Sequence, residues 1–455
     1  MNSDNLKSAL GRIEGDVNLS PHRSQWQERN LDERTRRLLE DDARYFLHQS
    51  LSTPCLNVLS DCDGINIVDT QGRRIMDFHG NSVHQVGFSN QRVIEAVKKQ
   101  LDKLSFCPRR YTNEPAINLA KKLVELAPGQ LNKVLFAPGG TIAIGIALKL
   151  VRYATGRFKT VSMWGSFHGA SLDAISIGGE SLFRRDLGPL LPGVEHVLPY
   201  GGCDCKGDCQ GECSLKYAQY VDDVLESEGD VGAVIAEPMR CTTVVAPPRE
   251  YWAAIRQSCD RHGTLLVFDE IPVALGRTGR MFCCEHFDVE PDILVIGKGL
   301  GGGVFPMAAV IARADLHVAK DKAIGHYTHE KSPVGAAAAL ATIECIEEDG
   351  LLQHVQRLGE HALIRLQEMQ ERHYLINEVR GVGLLLGVTL MRNGQKALDE
   401  AERVMYSCLE KGLSFKVSDG NVLTLGPPLM ITKEQLDTAL DIVSEAIAEV
   451  EQSSP

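Results

Sequence analysis

The chain has 455 residues, of which 44% are hydrophobic and 24% charged, and a formal net charge of −12. That length exceeds the roughly 250–300 residues at which a single hydrophobic core stops growing, so two domains are expected. The acidic balance offers no basic footprint to nucleic acid or an anionic membrane, and no apolar run approaches the ~20 residues of a membrane span or forms the core of a signal peptide, so a cytoplasmic protein is expected.

Residues 1–35 read as a polar extension leading into a first helix, amphipathic toward the end of RSQWQERNLDERTRRLLEDDARYF. INIVDTQGRRIMDF alternates apolar and polar residues around Gln71-Gly72, which predicts a hairpin. NQRVIEAVKKQLDKL and EPAINLAKKLVELA carry apolar residues at helical spacing. From Lys133 to about Ala312 the strand-like runs KVLFAPG, TVSMWGS, VGAVIAEP, GTLLVFDE and DILVIGKG alternate with helical stretches. Such alternation predicts an α/β fold with a mainly parallel sheet covered on both faces. From about Ser332 the pattern returns to helices, then a strand-like LLLGVTL and a long closing helix, KEQLDTALDIVSEAIAEVEQ. The expected division is an extension over 1–35, a smaller α+β domain from 36–85 and 326–455, and a large α/β domain over 86–325.

Ligands in such sheets bind outside the carboxyl ends of the strands. Gly139-Gly140-Thr141, Phe167-His168, Glu237, Asp269 and Lys298 each follow a strand-like run. A carboxylate at Asp269 is suited to keeping a pyridinium nitrogen protonated, and an amine at Lys298, shielded from water between Gly297 and Gly299, to forming an imine. Gly-Gly-Thr before the helical IAIGIALKLVRYA suits a phosphate at a helix N-terminus. Alone, the aspartate reads as a cap and the glycines as a turn; their order and spacing argue for one site.

The thirteen cysteines are odd in number and mostly scattered, unlike a secreted disulfide framework, and most are expected as reduced, buried thiols. Cys203, Cys205, Cys209 and Cys213 fall close together in a Gly- and Asp-rich stretch able to wrap a tetrahedral ion such as zinc, although the spacing is not the paired C-x-x-C. Whether they hold a metal is left open.

FDE followed by GRTGRMF, then EPDILVIGKGLGGG, then PPLMIT, makes the chain resemble the class III aminotransferases, the ornithine or ω-aminotransferase group, over nearly its whole length. The resemblance implies an aspartate-aminotransferase-like fold (fold type I), a pyridoxal 5'-phosphate cofactor and a homodimer with shared active sites. It implies that Lys298 carries the cofactor as an imine, that Asp269 pairs with the pyridine nitrogen and that Phe167 stacks on the ring. It assigns the phosphate to Gly140 and Thr141, with Thr328 reaching the phosphate of the partner subunit.

The chain departs from the family pattern at several positions. The arginine that holds an α-carboxylate is here Thr424, and the glutamate that pairs with it is Thr242. The glutamine that meets the ring hydroxyl is Pro272, and His329-Glu330-Lys331-Ser332 puts charge where the family is aromatic and glycine-rich. The family's Glu-Ala-x-x-Glu is Ile142-Ala143-Ile144-Gly145. A transaminase must accept a keto acid, whereas a lyase need not, so loss of both carboxylate-handling residues points to the family's lyase branch. The expected reaction is β-elimination of a hydroxyl from a small anionic amino-phosphonate, releasing an aldehyde and ammonia. Arg110, His84 and Thr424 are the candidate substrate contacts, with His79 and Asn81 beside them. The rival readings are an ω-aminotransferase, a phospho-lyase acting on phosphoethanolamine, and a non-catalytic binding protein on the same fold.

Overall fold

The computed structural model describes residues 20–50, 52–201 and 212–453. Contacts divide them into two compact units: a larger one of Gln91–Cys241 and Val245–Leu352, and a smaller one of the residues up to Asn90, Thr242–Val244 and Gln353 onward.

Among the described residues the smaller unit begins with two helices where one is expected. Ser20 caps Pro21–Asn30, and Asp32 starts a second helix, Glu33–Tyr45, by accepting the Thr35 N–H. Trp26 and Leu31 bury against Tyr406. Strands β1 (Leu59–Asp63), β2 (Asn66–Asp69) and β3 (Arg74–Asp77) form an antiparallel meander, with the expected hairpin turning at Gly72, whose φ is +81°.

In the larger unit β4 (Leu131–Ala137), β5 (Lys159–Met163), β6 (Val194–Val197), β7 (Val231–Ala236), β8 (Leu265–Asp269), β9 (Ile293–Ile296) and β10 (Ala308–Arg313) make one sheet, ordered β4-β10-β9-β8-β7-β5-β6. The strands from β6 across to β9 run parallel, while β10 is antiparallel to both neighbours. Strands β7, β8 and β9 are buried at every position, as continuous apolar runs covered on both faces require. The helix Gly140–Thr155 buries eight residues in this core and ends at Gly156, whose left-handed φ of 68° closes it. Helix Pro333–Glu348 also belongs here, beyond the boundary expected at 325/326. Its small residues let it pack closely on helices Gln91–Lys103 and Glu114–Leu126.

The rest of the smaller unit contains β11 (Ile376–Val382), β12 (Leu385–Arg392), β13 (Gln395–Lys396), β14 (Leu413–Ser414), β15 (Lys416–Ser418) and β16 (Val422–Leu425). The second sheet runs β11-β12-β16-β15, and β14 joins β3 in parallel. The chain leaves the larger unit after Cys241 and returns at Val245, where Arg240 and Val245 exchange backbone hydrogen bonds. In the intervening tongue the Arg380 guanidinium bonds the carbonyls of Thr243 and Val244. Val244 sits at φ 55°, a rare state for a β-branched residue, and a Cβ on Gly387 would lie 2.9 Å from the Val244 Cβ.

Candidate active site

The parallel order brings the carboxyl ends of β5, β7, β8 and β9 side by side in the larger unit. Asp269, the last residue of β8, is opposite Val295 of β9, and Lys298 follows three residues later. Asp269 is 2% exposed, and a carboxylate so buried needs partners. One oxygen accepts from His168 Nδ1 at 2.8 Å and the other from the Ile271 N–H at 3.0 Å. His168 is itself buried, with Nε2 3.5 Å from Ser162 Oγ, so the acid is fixed from behind by a ring that cannot move.

Lys298 has a φ of 45°, in the left-handed region that costs an ordinary residue about 1–2 kcal/mol. The flanking glycines predict an amine shielded from water; Lys298 is instead the one exposed residue between Pro291 and Gly302, because its left-handed turn points it out of the buried strand end. A solvated surface lysine needs no such backbone, and strain of this kind gathers at functional sites. The flanking Gly297 packs tightly: a Cβ there would meet Ala308 Cβ at 3.3 Å and Ile271 Cγ2 at 3.5 Å.

Helix Gly140–Thr155 begins at Gly139 with no side chain capping it, so its first N–H groups remain available to an anion. A Cβ on Gly139 would meet nothing within 4 Å, whereas one on Gly140 would lie 2.7 Å from Ile271 Cδ1. Ile271, two residues beyond Asp269, therefore rests against both Gly140 and Gly297 and ties the helix start to the lysine turn. Gly169 has a φ of 125°, and a Cβ there would fall 2.3 Å from Thr141 Oγ1, so the Phe167-His168-Gly169 loop lies on the first helical turn. Phe167 is half-buried, donates its N–H to Glu237 Oε1 at 3.1 Å and pairs its ring with Phe183 at 4.5 Å. Gly140, Thr141, Phe167, Asp269 and Lys298 thus lie on segments that pack on one another at the strand ends of the larger unit. Pyridoxal phosphate fits this donor set: uncapped amides for the phosphate, a fixed buried carboxylate for the ring nitrogen, an aromatic face and a free amine.

Thr328 is exposed, in a stretch where His329 packs edge-on against Phe106. Arg110 is exposed and forms no hydrogen bond or ion pair among the described residues. In the smaller unit Thr424 is buried, its hydroxyl donating to the Thr242 carbonyl at 2.6 Å and lying 3.0 Å from Ser418 Oγ; Thr242 Oγ1 is buried without a hydrogen-bond partner. Arg380 is engaged not only by the two tongue carbonyls but also by Glu378 and Thr389. His84 corrects the expectation of a substrate contact: it is 0% exposed, with Nε2 3.1 Å from the Asp77 carbonyl oxygen, because the chain there turns tightly inward. That turn runs through left-handed Gly80, Asn81 and Ser82, leaving Asn81 exposed and His79 half-buried.

Sequence reasoning noted His168 and Glu237 without seeing what they hold, and it passed over Glu180 and Arg240. Arg240 lies 2.5 Å from Glu237 and 3.7 Å from Glu180. An arginine three residues after a strand-end glutamate was the available hint. Glu270 is fully buried, accepts the N–H groups of Cys283 and Cys284 at 2.6 and 2.7 Å, and is pushed by burial up to about 7. Cys203, Cys205 and Cys209 lie outside the described residues, and Cys213 is described only in its backbone. Among the described residues no group of three or more His, Cys, Asp or Glu is arranged to hold a metal ion. No helix there is long and apolar enough to cross a membrane. Cys107, Cys259, Cys283, Cys284, Cys345 and Cys408 are buried and form no disulfide.

A family profile described as aminotransferase class-III matches residues 48–447. Over 98% of its length the chain is 48% identical to an (R)-1-hydroxy-2-aminoethylphosphonate ammonia-lyase of Vibrio splendidus, covering 97% of that protein. It is 37% identical, over 92% of its length and 97% of the relative, to a leucine/methionine racemase of Thermococcus litoralis. Among solved structures it is similar to an ω-transaminase from Pseudomonas jessenii in complex with PMP, with a TM-score of 0.86 and 28% identity over 91% of this chain and 98% of that one.

Proposed function

The chain belongs to the class III aminotransferase family of pyridoxal-phosphate-dependent enzymes, and from that premise we propose that it is a lyase converting (R)-1-hydroxy-2-aminoethylphosphonate to phosphonoacetaldehyde and ammonia. Its fold is the aspartate-aminotransferase-like fold type I. The observation that carries the reading is the 48% identity, along nearly the whole chain, to a protein that bears this activity in its name. The neutral Thr242–Thr424 contact supports it, because a keto acid would find no charge partner there.

When bound, pyridoxal phosphate supplies an aldehyde that condenses with amines and a ring that takes up an electron pair. Asp269, oriented by His168 and the Ile271 amide, would keep the ring nitrogen protonated. The first-turn amides at Gly140 and Thr141 would hold the phosphate, and Phe167 would offer an aromatic face to the ring. Lys298 would hold the cofactor, and its amine is the group that would take a proton from the amine-bearing carbon of the substrate. The hydroxyl on the neighbouring carbon then takes up a proton and departs as water. Water returns when the product hydrolyses to aldehyde and ammonia, so no second substrate is consumed.

The enzyme works as a cytoplasmic homodimer with shared active sites, in which Thr328 serves the phosphate of the partner subunit's site and Arg110 meets the phosphonate. The test is ammonia release from (R)-1-hydroxy-2-aminoethylphosphonate without any keto acid. Many turnovers with no inorganic phosphate are expected. Arrest after one amine per site would instead indicate an aminotransferase, phosphate release from phosphoethanolamine a phospho-lyase, and no turnover on any amine a binding protein.

A further inference from the structure

We propose that Arg240 is a positioning residue of this site: it grips Glu237 and Glu180 and thereby fixes the Ser166–Phe167 peptide, and with it the ring of Phe167. The proposal rests on the reading that Phe167 covers the cofactor.

Glu237 Oε1 accepts the Phe167 N–H at 3.1 Å. On the other side of the same peptide, the Ser166 carbonyl accepts the N–H groups of Gly179 at 2.9 Å and Glu180 at 3.2 Å. Both polar atoms of one peptide unit are therefore held, each by an element that carries a buried glutamate. Gly179 approaches so closely that a Cβ would lie 2.2 Å from the Met163 carbonyl oxygen. The side chains of Glu237 and Glu180 are 7% and 1% exposed, and two carboxylates buried side by side repel unless a cation stands between them.

Arg240 is that cation. Its Nη1 hydrogen-bonds Glu237 Oε1 at 2.5 Å, and its Nη2 forms a longer ion pair, 3.7 Å, with Glu180 Oε2, so one guanidinium faces both acids. Its own backbone is pinned by exchange of hydrogen bonds with Val245 at 2.9 and 3.2 Å. One positive charge facing two negative ones offers nothing to a phosphonate dianion, so Arg240 does not recognise substrate directly. It acts through the loop that runs from β5 onto the first turn of helix Gly140–Thr155.

The test compares wild type, Arg240→Met, Arg240→Lys and the double variant Arg240→Met/Glu180→Gln. The readouts are the dissociation constant of pyridoxal phosphate from the apoenzyme, the circular dichroism of the bound cofactor, and amide hydrogen exchange of residues 164–169. Arg240→Met is expected to weaken cofactor binding roughly 10- to 100-fold, the equivalent of one charge-assisted hydrogen bond, and to speed exchange in that loop. Arg240→Lys keeps the charge but loses the guanidinium, and falls between Arg240→Met and wild type; it carries the test if Arg240→Met does not fold. The double variant stays weak if the arginine positions the loop. Recovery of wild-type affinity there would mean that Arg240 only neutralises Glu180, and overturns the proposal, as do unchanged affinity and exchange in both single variants. A wild-type protein that binds no pyridoxal phosphate at all would sink the cofactor reading itself.

Discussion

Two regions handle buried polarity in opposite ways. At the strand ends of the larger unit the interior holds ionisable groups set against one another: Asp269 against His168, and Arg240 between Glu237 and Glu180. Around β16 of the smaller unit the buried polar groups are neutral, a threonine hydroxyl on a carbonyl beside a serine. Burying charge costs several kcal/mol per ion even after relaxation, so a fold retains it where chemistry uses it and drops it elsewhere. Beside β16 neither member of a carboxylate-recognition pair stands alone, which would leave an uncompensated buried charge.

The sharpest way to break this contrast is at Lys298. Lys298→Ala is expected to lower turnover by roughly 10⁴-fold or more, since the group is both anchor and base, while leaving the melting temperature of the apoenzyme within a few degrees. Steady-state ammonia release and calorimetry decide it; retained turnover would remove the lysine from the mechanism.

Next comes the attempt to put charge beside β16, where the buried Thr424 and Ser418 hydroxyls are neutral. Thr424→Arg alone buries an unpaired guanidinium and is expected to cost about 3–5 kcal/mol in urea unfolding. Adding Thr242→Glu supplies a partner and should recover much of that loss. A single variant as stable as wild type would show that the site admits water freely and that its neutrality is not enforced by burial.

The smallest effect concerns pH. Each unit holds a buried carboxyl that accepts two backbone N–H groups: Glu270, pushed by desolvation up to about 7, and Asp77, pushed the same way up to about 6. For both, the folded value lies above the unfolded one, so the native state keeps a proton that the unfolded chain has released. Their contribution is complete below the ordinary carboxyl values of 4.5 and 3.8 and is lost as pH rises through about 7 and about 6. At ~1.4 kcal/mol per unit, Glu270 accounts for a decline of about 3 kcal/mol and Asp77 for somewhat less. Urea unfolding from about pH 5 to 8 should show the decline, with Glu270→Gln removing more of the slope than Asp77→Asn. An unchanged slope in both variants would place the titration elsewhere.

Much of the larger unit was legible because its strands are continuous apolar runs ending in glycine, proline or acid, and the order of Gly140, Asp269 and Lys298 follows from that pattern. The direction of β10 was not, since an apolar run carries no mark of antiparallel pairing. The break between the first two helices was written in Ser20-Pro21 and Asp32 but was masked by the helical propensity around it. His168 lies 101 residues before Asp269, and a pairing that distant depends on the order and register of strands rather than on local sequence. The same holds for Glu180, which reaches Arg240 only because its chain segment folds back on Ser166. His84 read as a polar group near a mouth, but three successive left-handed residues turn it inward; Gly80-Asn81 favours such a turn without fixing where the next side chains point.

The tongue at Thr242–Val244 carries a consequence for grafting experiments. Val244 is seated in a socket that exists only because residue 387 lacks a side chain, so the two positions form a key and a lock some 140 residues apart in the chain. Transplanting this loop into a relative, or importing a relative's loop here, will succeed only when both halves travel together.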